Sequence, residues 1–298
     1  ENIVYVFFSE VVMNKIDELV KRVNDADAII VGAGSGMSRA TALDFWYQDS
    51  PLYMDNMKYF AKKYGFQGLF QGFYNHFESE EEHWAFYLEL YKMMIEIPPQ
   101  KPTYEYLKTL IGNKSAHYVT TNQDMLFTKY FPEDQVSEIQ GSWNYFQSSR
   151  PTNDRKLYPT KGMLDVLYGK IENHRLPSKL IPKSDVDGAP LMPWVRGPEF
   201  LEDQKYYEEH KKWNQFMAAH RGEKLLFLEM GVGRMTPMFI QEPFWEMTQY
   251  MPNSFYININ PRDVQTNPAI QDCSLLIRED INKALKEASI KVKEDQND

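Results

Sequence analysis

An α/β fold is predicted: a Rossmann-like parallel sheet with a helical insertion and a second, smaller inserted domain. Three observations predict it. The run Ala28-Ile29-Ile30-Val31 enters the glycine turn Gly32-Ala33-Gly34-Ser35-Gly36. An apolar run closed by glycine marks a parallel strand covered on both faces. Later runs end in similar polar or glycine clusters, at Thr120-Thr121-Asn122-Gln123-Asp124, Gln140-Gly141-Ser142 and Gly231-Val232-Gly233. Between them lie two stretches of different texture, one helical and aromatic, the other rich in proline and charge.

Val12, Ile16, Leu19, Val20 and Val23 have helical spacing, so an amphipathic helix precedes the first strand. In the turn that follows, glycine lets backbone N–H groups approach a phosphate, and a helix opening after Ser38 would add its positive end. The turn is not the dehydrogenase fingerprint. Its third glycine would fall at Met37, and the acidic residue about 20 positions on, near Asp55, lies in a helical pattern rather than at a strand end. Residues 43–100 read as the helical insertion. Ser79 with Glu82 forms a capping box, Trp84, Leu88, Tyr91 and Ile95 share a face, and Pro98-Pro99 stop the helix.

A helix over 104–111 and strands over 117–121 and 136–139 follow. Residues 143–221 form the small domain, with one helix near 203–221. The chain then returns to the sheet: a strand over 224–230, a helix over 237–250, strands over 254–260 and 273–277, and a frayed tail over 293–298. The sheet domain therefore comprises 1–142 and 222–298. Ligands of such sheets bind outside the carboxyl ends of the strands, where the polar clusters fall.

The 298 residues carry a formal charge of −9, which argues against nucleic acid or an acidic membrane as partner. Cys273 is the single cysteine, so no internal disulfide and no cysteine-based zinc cluster can form. The apolar run over 3–8 is too short for a signal-peptide core and lacks a basic flank. No run approaches the roughly 20 apolar residues of a membrane span. A cytoplasmic protein is expected. Asn122 and Asp124 can be helix caps or site residues, and the roles can coexist. Glu229, in an apolar strand, is expected to satisfy backbone groups. Ser142 has no histidine nearby for a hydrolase triad. The pair His76 and His83 reads as a solvated helix face.

In their order and spacing these clusters resemble the sirtuin family. Its pattern is a Gly-Ala-Gly loop, then Thr-Gln-Asn-Ile-Asp, His-Gly, a Gly-x-Ser turn and Ile-Asn. Here these are Gly32-Ala33-Gly34, Thr120-Thr121-Asn122-Gln123-Asp124, Gln140-Gly141, Gly231-Val232-Gly233 and Ile259-Asn260, over residues 26–277. Glutamine replaces the family's catalytic histidine at Gln140. With Glu229-Met230-Gly231-Val232-Gly233, Thr236-Pro237 and Pro243-Phe244-Trp245, this looks like the macrodomain-linked microbial (class M) subgroup.

The resemblance implies NAD as cofactor and ADP-ribosyl transfer to a protein, in place of deacylation. It implies a lipoyl-carrier protein of the glycine-cleavage type as acceptor, and a macrodomain hydrolase that reverses the mark. It assigns Asn122, Asp124 and Gln140 to catalysis. Contacts to NAD would come from Gly32, Ala33, Gly34, Ser35, Met37, Ser38, Asp44, Phe45, Thr121, Asn122, Asp124, Gln140, Gly231, Val232, Gly233, Thr236 and Asn260. Ser35 and Ser38 would face the pyrophosphate, Gly231 and Gly233 the adenosine side, and Asn260 its ribose. The family's Asp-Phe-Arg stretch reads Asp44-Phe45-Trp46 here.

Gln140 separates the possible reactions. A carboxamide cannot take up a proton near neutral pH as imidazole can. Deacylation needs such a base, and losing one typically lowers the rate about 100- to 10,000-fold. A deacylase or NAD glycohydrolase is the rival enzyme reading, and a nucleotide-sensing module the non-enzymatic one. The family's four zinc cysteines are, by position, Ser148, Thr152, Ser184 and Asp187. Without thiolates these lack the ligands of a structural zinc site, and no metal is expected.

Overall fold

The protein is described by a computed structural model over residues 15–296. Val12, the apolar run 3–8 and the last two residues lie outside this range.

The centre is a six-stranded, all-parallel sheet in the order β3-β2-β1-β4-β5-β6. Its strands are β1 (Ala28–Ala33), β2 (Ser115–Thr120), β3 (Val136–Glu138), β4 (Leu225–Met230), β5 (Phe255–Ile259) and β6 (Ser274–Ile277). Every residue of β1 is paired on both sides, Ala28 to Ala33 against 115–120 and against 225–230. That double cover is why β1 and β4 are apolar and wholly buried. The chain leaves β1 in one direction through β2 to β3, then resumes on its other flank with β4. The crevice between the carboxyl ends of β1 and β4 is therefore the topological switch point.

Helices cover both faces. Helix α1 (residues 15–25), α2 (Thr103–Ile111) and α3 (Ile281–Asp295) share one core with Ile29 and Val31. Helix α4 (Gln204–Ala219) and α5 (Gln241–Tyr250) pack on the opposite face, where Trp213 and Phe244 meet Ile30, Val119 and Phe227.

The 43–100 insertion forms α6 (Pro51–Tyr64), α7 (Gly68–Phe73) and α8 (Glu80–Glu96). The Ser79 hydroxyl accepts from the Glu82 N–H at 3.2 Å, capping α8. A second sheet, antiparallel, orders β8-β7-β9: β7 (Gly141–Ser148) lies between β8 (Leu157–Pro159) and β9 (Leu191–Val195). Insertion and small sheet share a core, with Trp84 and Phe146 ring centroids 5.4 Å apart and Tyr87 and Trp143 5.8 Å apart. The aromatic density of the insertion is this shared core.

Several expectations are corrected. The helix near 203–221, assigned with the small domain, packs on β2 and β3; its Trp213 is buried among sheet residues. The tail over 293–298 was expected to fray, but residues through Asp295 continue α3, whose Ile281, Ala284, Leu285, Ala288 and Val292 line the core at helical spacing. Glu229 bonds side chains where backbone groups were expected. Its carboxylate accepts from Gln241 Nε2 at 2.7 Å and from the Tyr256 hydroxyl at 2.6 Å, and burial pushes its pKa up to about 7. His83 is not on a solvated face. It stacks on Phe77 at 4.5 Å, and burial lowers its pKa to about 4.

At three of the four positions matched to zinc cysteines, Ser148, Ser184 and Asp187, the side chains are tied into turns. The Ser184 hydroxyl donates to Asp154 Oδ2 at 2.7 Å, and the Tyr158 hydroxyl donates to the same oxygen. The Lys156 N–H reaches Asp154 Oδ1 at 3.0 Å. Ser148 Oγ accepts from the Arg150 N–H, and Asp187 accepts from Ala189 N–H and Asn153 Nδ2. Among the described residues no group of three or more His, Cys, Asp or Glu is placed to hold a metal. No helix there is long and apolar enough to cross a membrane.

Candidate active site

The two glycine turns meet at the switch point. The Gly34 N–H donates to Met230 O at 3.1 Å and the Gly36 N–H to Gly231 O at 2.9 Å. A short helix, α9 (Ser35–Ala40), opens at Ser35, earlier than the sequence pattern places it. The contact is backbone on backbone: a Cβ on Gly36 would stand 2.6 Å from Gly231 Cα, and one on Gly34 2.7 Å from Gly231 O.

Outside these strand ends lies a cavity of about 460 Å³. Its floor is polar, with Asn122, Asp124 and Gln140 from the ends of β2 and β3. Its walls are largely aromatic: Trp46, Tyr47, Phe70, Tyr74 and Phe239. A few convergent polar groups in an apolar cleft are the usual form of a small-molecule site.

Each floor residue is held. Asn122 donates from Nδ2 to Gly34 O at 2.9 Å, and its own N–H is taken by Thr120 Oγ1 at 2.9 Å. Asp124 accepts the Leu126 N–H at 3.2 Å and accepts from the Ser38 hydroxyl; the N-cap of the short helix Leu126–Tyr130 is Met125, in the left-handed region. Asp124 is therefore not the helix cap that its residue type suggests; it lies one position before it and belongs to the floor. Burial raises its pKa, while the Ser38 donor, the Leu126 N–H and the Lys129 charge oppose that rise. Gln140 donates from Nε2 to Ile139 O at 3.1 Å and accepts from Arg196 Nε at 2.8 Å. Below it, burial pushes the Glu138 carboxyl up to about 8, next to the Glu209 charge.

Of the residues that the resemblance assigns to NAD, ten line the cavity: Gly34, Ser35, Ser38, Asp44, Thr121, Asn122, Asp124, Gln140, Gly233 and Thr236. Seven do not. Gly32 packs against Ile240 and Phe244, where a Cβ would come within 2.5 Å. Ala33, Met37, Phe45 and Val232 are core. Gly231 is spent on the turn-to-turn contact, and Asn260 ties Val232 O to the Arg262 and Asp263 N–H groups. Ser38, expected to face a pyrophosphate, turns its hydroxyl into Asp124.

Sequence reasoning missed Arg196. It follows β9 in the small sheet, and the pairing of Gly141 with Val195 sets it beside Gln140. Its N–H donates to Gln140 O at 3.0 Å, and its guanidinium lies 4.3 Å over the Phe200 ring and pairs with Glu202. The Tyr74 hydroxyl donates to Arg196 O at 2.7 Å, linking the insertion to the small sheet across the cavity mouth. Nothing in sequence spacing announces an arginine 56 residues from its partner. The aromatic wall was also unforeseen, apart from Trp46, marked only as a departure from arginine.

No known family's sequence profile matches the chain. Solved structures do. A Sir2 homolog–NAD complex superposes with a TM-score of 0.59 at 17% identity, covering 94% of each chain. A structure of sirtuin substrate affinity superposes with a TM-score of 0.57 at 14% identity, covering 92% of this chain and 98% of that one. The chain has the sirtuin fold. Two relatives are similar in sequence. A protein ADP-ribosyltransferase of Staphylococcus aureus is 28% identical over 269 residues, 89% of this chain and 84% of that protein. A probable bifunctional ADP-ribose hydrolase/ADP-ribosyltransferase of Fusarium oxysporum f. sp. cubense is 30% identical over 230 residues, 74% of this chain. The match spans 38% of that longer protein. Within the sirtuin fold, the switch-point crevice between β1 and β4 is where a dinucleotide would lie.

Proposed function

We propose that this chain is an NAD-dependent protein mono-ADP-ribosyltransferase. The observation that carries it is the convergence of Asn122, Asp124 and Gln140 on one cavity at the switch point. The two ADP-ribosyltransferase relatives support the reaction class. The finer reading, resting on the class M resemblance, takes a lipoyl-carrier protein as acceptor and a macrodomain hydrolase as the partner that removes the mark.

The residues present fit a nicotinamide nucleotide. A carboxylate and two amides meet the hydrogen-bonding groups of a carboxamide and a ribose, and the aromatic walls offer apolar surface to a flat ring. NAD supplies the glycosidic bond that breaks, nicotinamide leaving with the bonding electron pair. Asn122, clamped to Gly34 O, keeps its amide oxygen free for the sugar side. Asp124 accepts from the carboxamide. Gln140 orients the ribose by hydrogen bonding and takes no proton. Arg196 fixes the Gln140 amide, so that Oε1 faces the guanidinium. The acceptor's nucleophile bonds the anomeric carbon and gives up its proton to solvent or to a base of its own.

The test is mass spectrometry after incubation with NAD and lipoylated or acylated carrier protein. A gain equal to ADP-ribose is expected. Free ADP-ribose alone would mean a glycohydrolase, acyl loss a deacylase, and NAD binding without nicotinamide release a sensing module. In Asn122→Ala, nicotinamide release should vanish while the fold persists; wild-type turnover in that variant would end the assignment.

A further inference from the structure

Ser38 was expected on the pyrophosphate, yet its side chain points elsewhere. It is 4% exposed, and its hydroxyl donates to Asp124 Oδ2. A hydroxyl has one proton to donate, so this bond removes Ser38 as a phosphate donor. Asp124 is itself only 6% exposed and lines the cavity floor. Its other oxygen accepts the Leu126 N–H. Two of about four lone-pair sites on the carboxylate are thus taken from within the protein, leaving the others for a ligand.

We propose that Ser38 is a positioning residue for the leaving group: its hydroxyl holds the Asp124 carboxylate ionised and turned so that the free lone pairs receive the N–H of a nicotinamide carboxamide. The inference rests on reading this cavity as a nicotinamide nucleotide site. It adds a reason for a polar residue at position 38 that phosphate binding does not give.

The surroundings make the hydroxyl matter. A carboxylate this buried is pushed toward its neutral form by desolvation. The groups that face it are few. Lys129 from the short helix Leu126–Tyr130 favours the charge, although its ammonium is bonded to Met94 O at 3.0 Å. Tyr104 from α2, Tyr47 from the loop before α6 and Glu138 from β3 all feel its charge unfavourably. Ser38 is the side chain that donates a hydrogen bond to it. Neutral Asp124 would present a donor where the carboxamide N–H needs an acceptor.

The experiment compares wild type with Ser38→Ala and Ser38→Thr. In Ser38→Ala, kcat/KM for nicotinamide release should fall about tenfold, the worth of one hydrogen bond to a charged group. The acid limb of its pH profile should move to higher pH, because the required carboxylate then protonates earlier as pH falls. Calorimetric affinity for ADP-ribose, which lacks the carboxamide, should stay within about twofold of wild type. Ser38→Thr keeps the hydroxyl and should restore the profile. An unshifted acid limb in Ser38→Ala, or an equal loss of ADP-ribose affinity, would overturn the inference, the latter by showing a structural or phosphate role. Failure of wild type to bind ADP-ribose would overturn the nucleotide reading beneath it, and the two failures are distinguishable in the one titration.

Discussion

Replacing Gly36 by alanine sets two effects against each other. Gly36 lies within helix α9, where alanine is favoured over glycine by about 1 kcal/mol. On helix propensity alone, Gly36→Ala stabilises the protein. The structure gives the opposite sign. The new Cβ would stand 2.6 Å from Gly231 Cα and 2.9 Å from Gly231 O, both backbone atoms of a turn anchored to β5 by the bond from the Gly231 N–H to Ile259 O. No flexible side chain can yield. Overpacking of this kind costs about 1–3 kcal/mol. Parting the turns would also stretch the 2.9 Å bond from the Gly36 N–H to Gly231 O, worth about 1 kcal/mol. The net expectation is a loss of about 2 kcal/mol. Urea unfolding followed by tryptophan fluorescence reads it as a lower midpoint at unchanged slope. ADP-ribose affinity should fall as well, since Gly34 and Ser35 beside the contact line the cavity. A variant as stable as wild type would refute the backbone-contact reasoning.

Gly233→Ala isolates binding from stability, because a Cβ there meets nothing within 4 Å; its midpoint should match wild type while ADP-ribose affinity drops in calorimetry, and unchanged affinity would remove Gly233 from the site. Glu229, with its pKa raised to about 7, and Glu138, raised to about 8, bind protons in the folded state that the unfolded chain releases near the ordinary carboxylate value. Stability should therefore decline as pH rises from about 5 to 8, and Glu229→Gln should flatten part of the slope, by up to about 3 kcal/mol; a parallel curve would show that Glu229 is not protonated there. Asp154→Ala leaves the Ser184 hydroxyl and the Lys156 N–H without their acceptor, while the Tyr158 hydroxyl keeps Asp185 Oδ1 at 2.9 Å. It should cost about 2 kcal/mol, whereas a zinc chelator should leave the wild-type melting temperature unmoved; a chelator-sensitive melt would restore a metal at the small sheet.

The order of the strand ends was legible in the sequence because a parallel strand covered on both faces must be apolar, and its exit must turn sharply. Ala28–Ala33 and Leu225–Met230 announce themselves in this way. Asn122, Asp124 and Gln140 could be named for the same reason, as polar residues at the carboxyl ends of such runs. The last helix was missed although its pattern is regular, because it follows the final strand and no motif drew attention to it.

What the linear chain determined by itself is thus local: which segments are buried strands and which side chains stand at their tips. Tertiary structure alone decided which of those side chains face the cavity and which serve packing. Gly36 and Gly231 look like a phosphate cradle in sequence and are a backbone contact in space, because two turns 195 residues apart arrive at the same crevice. Arg196 reaches Gln140, and Ser38 reaches Asp124, through pairings set by sheet register and helix placement. Periodicity reports only on a residue's neighbours along its own element, so it carries no record of such distant partners.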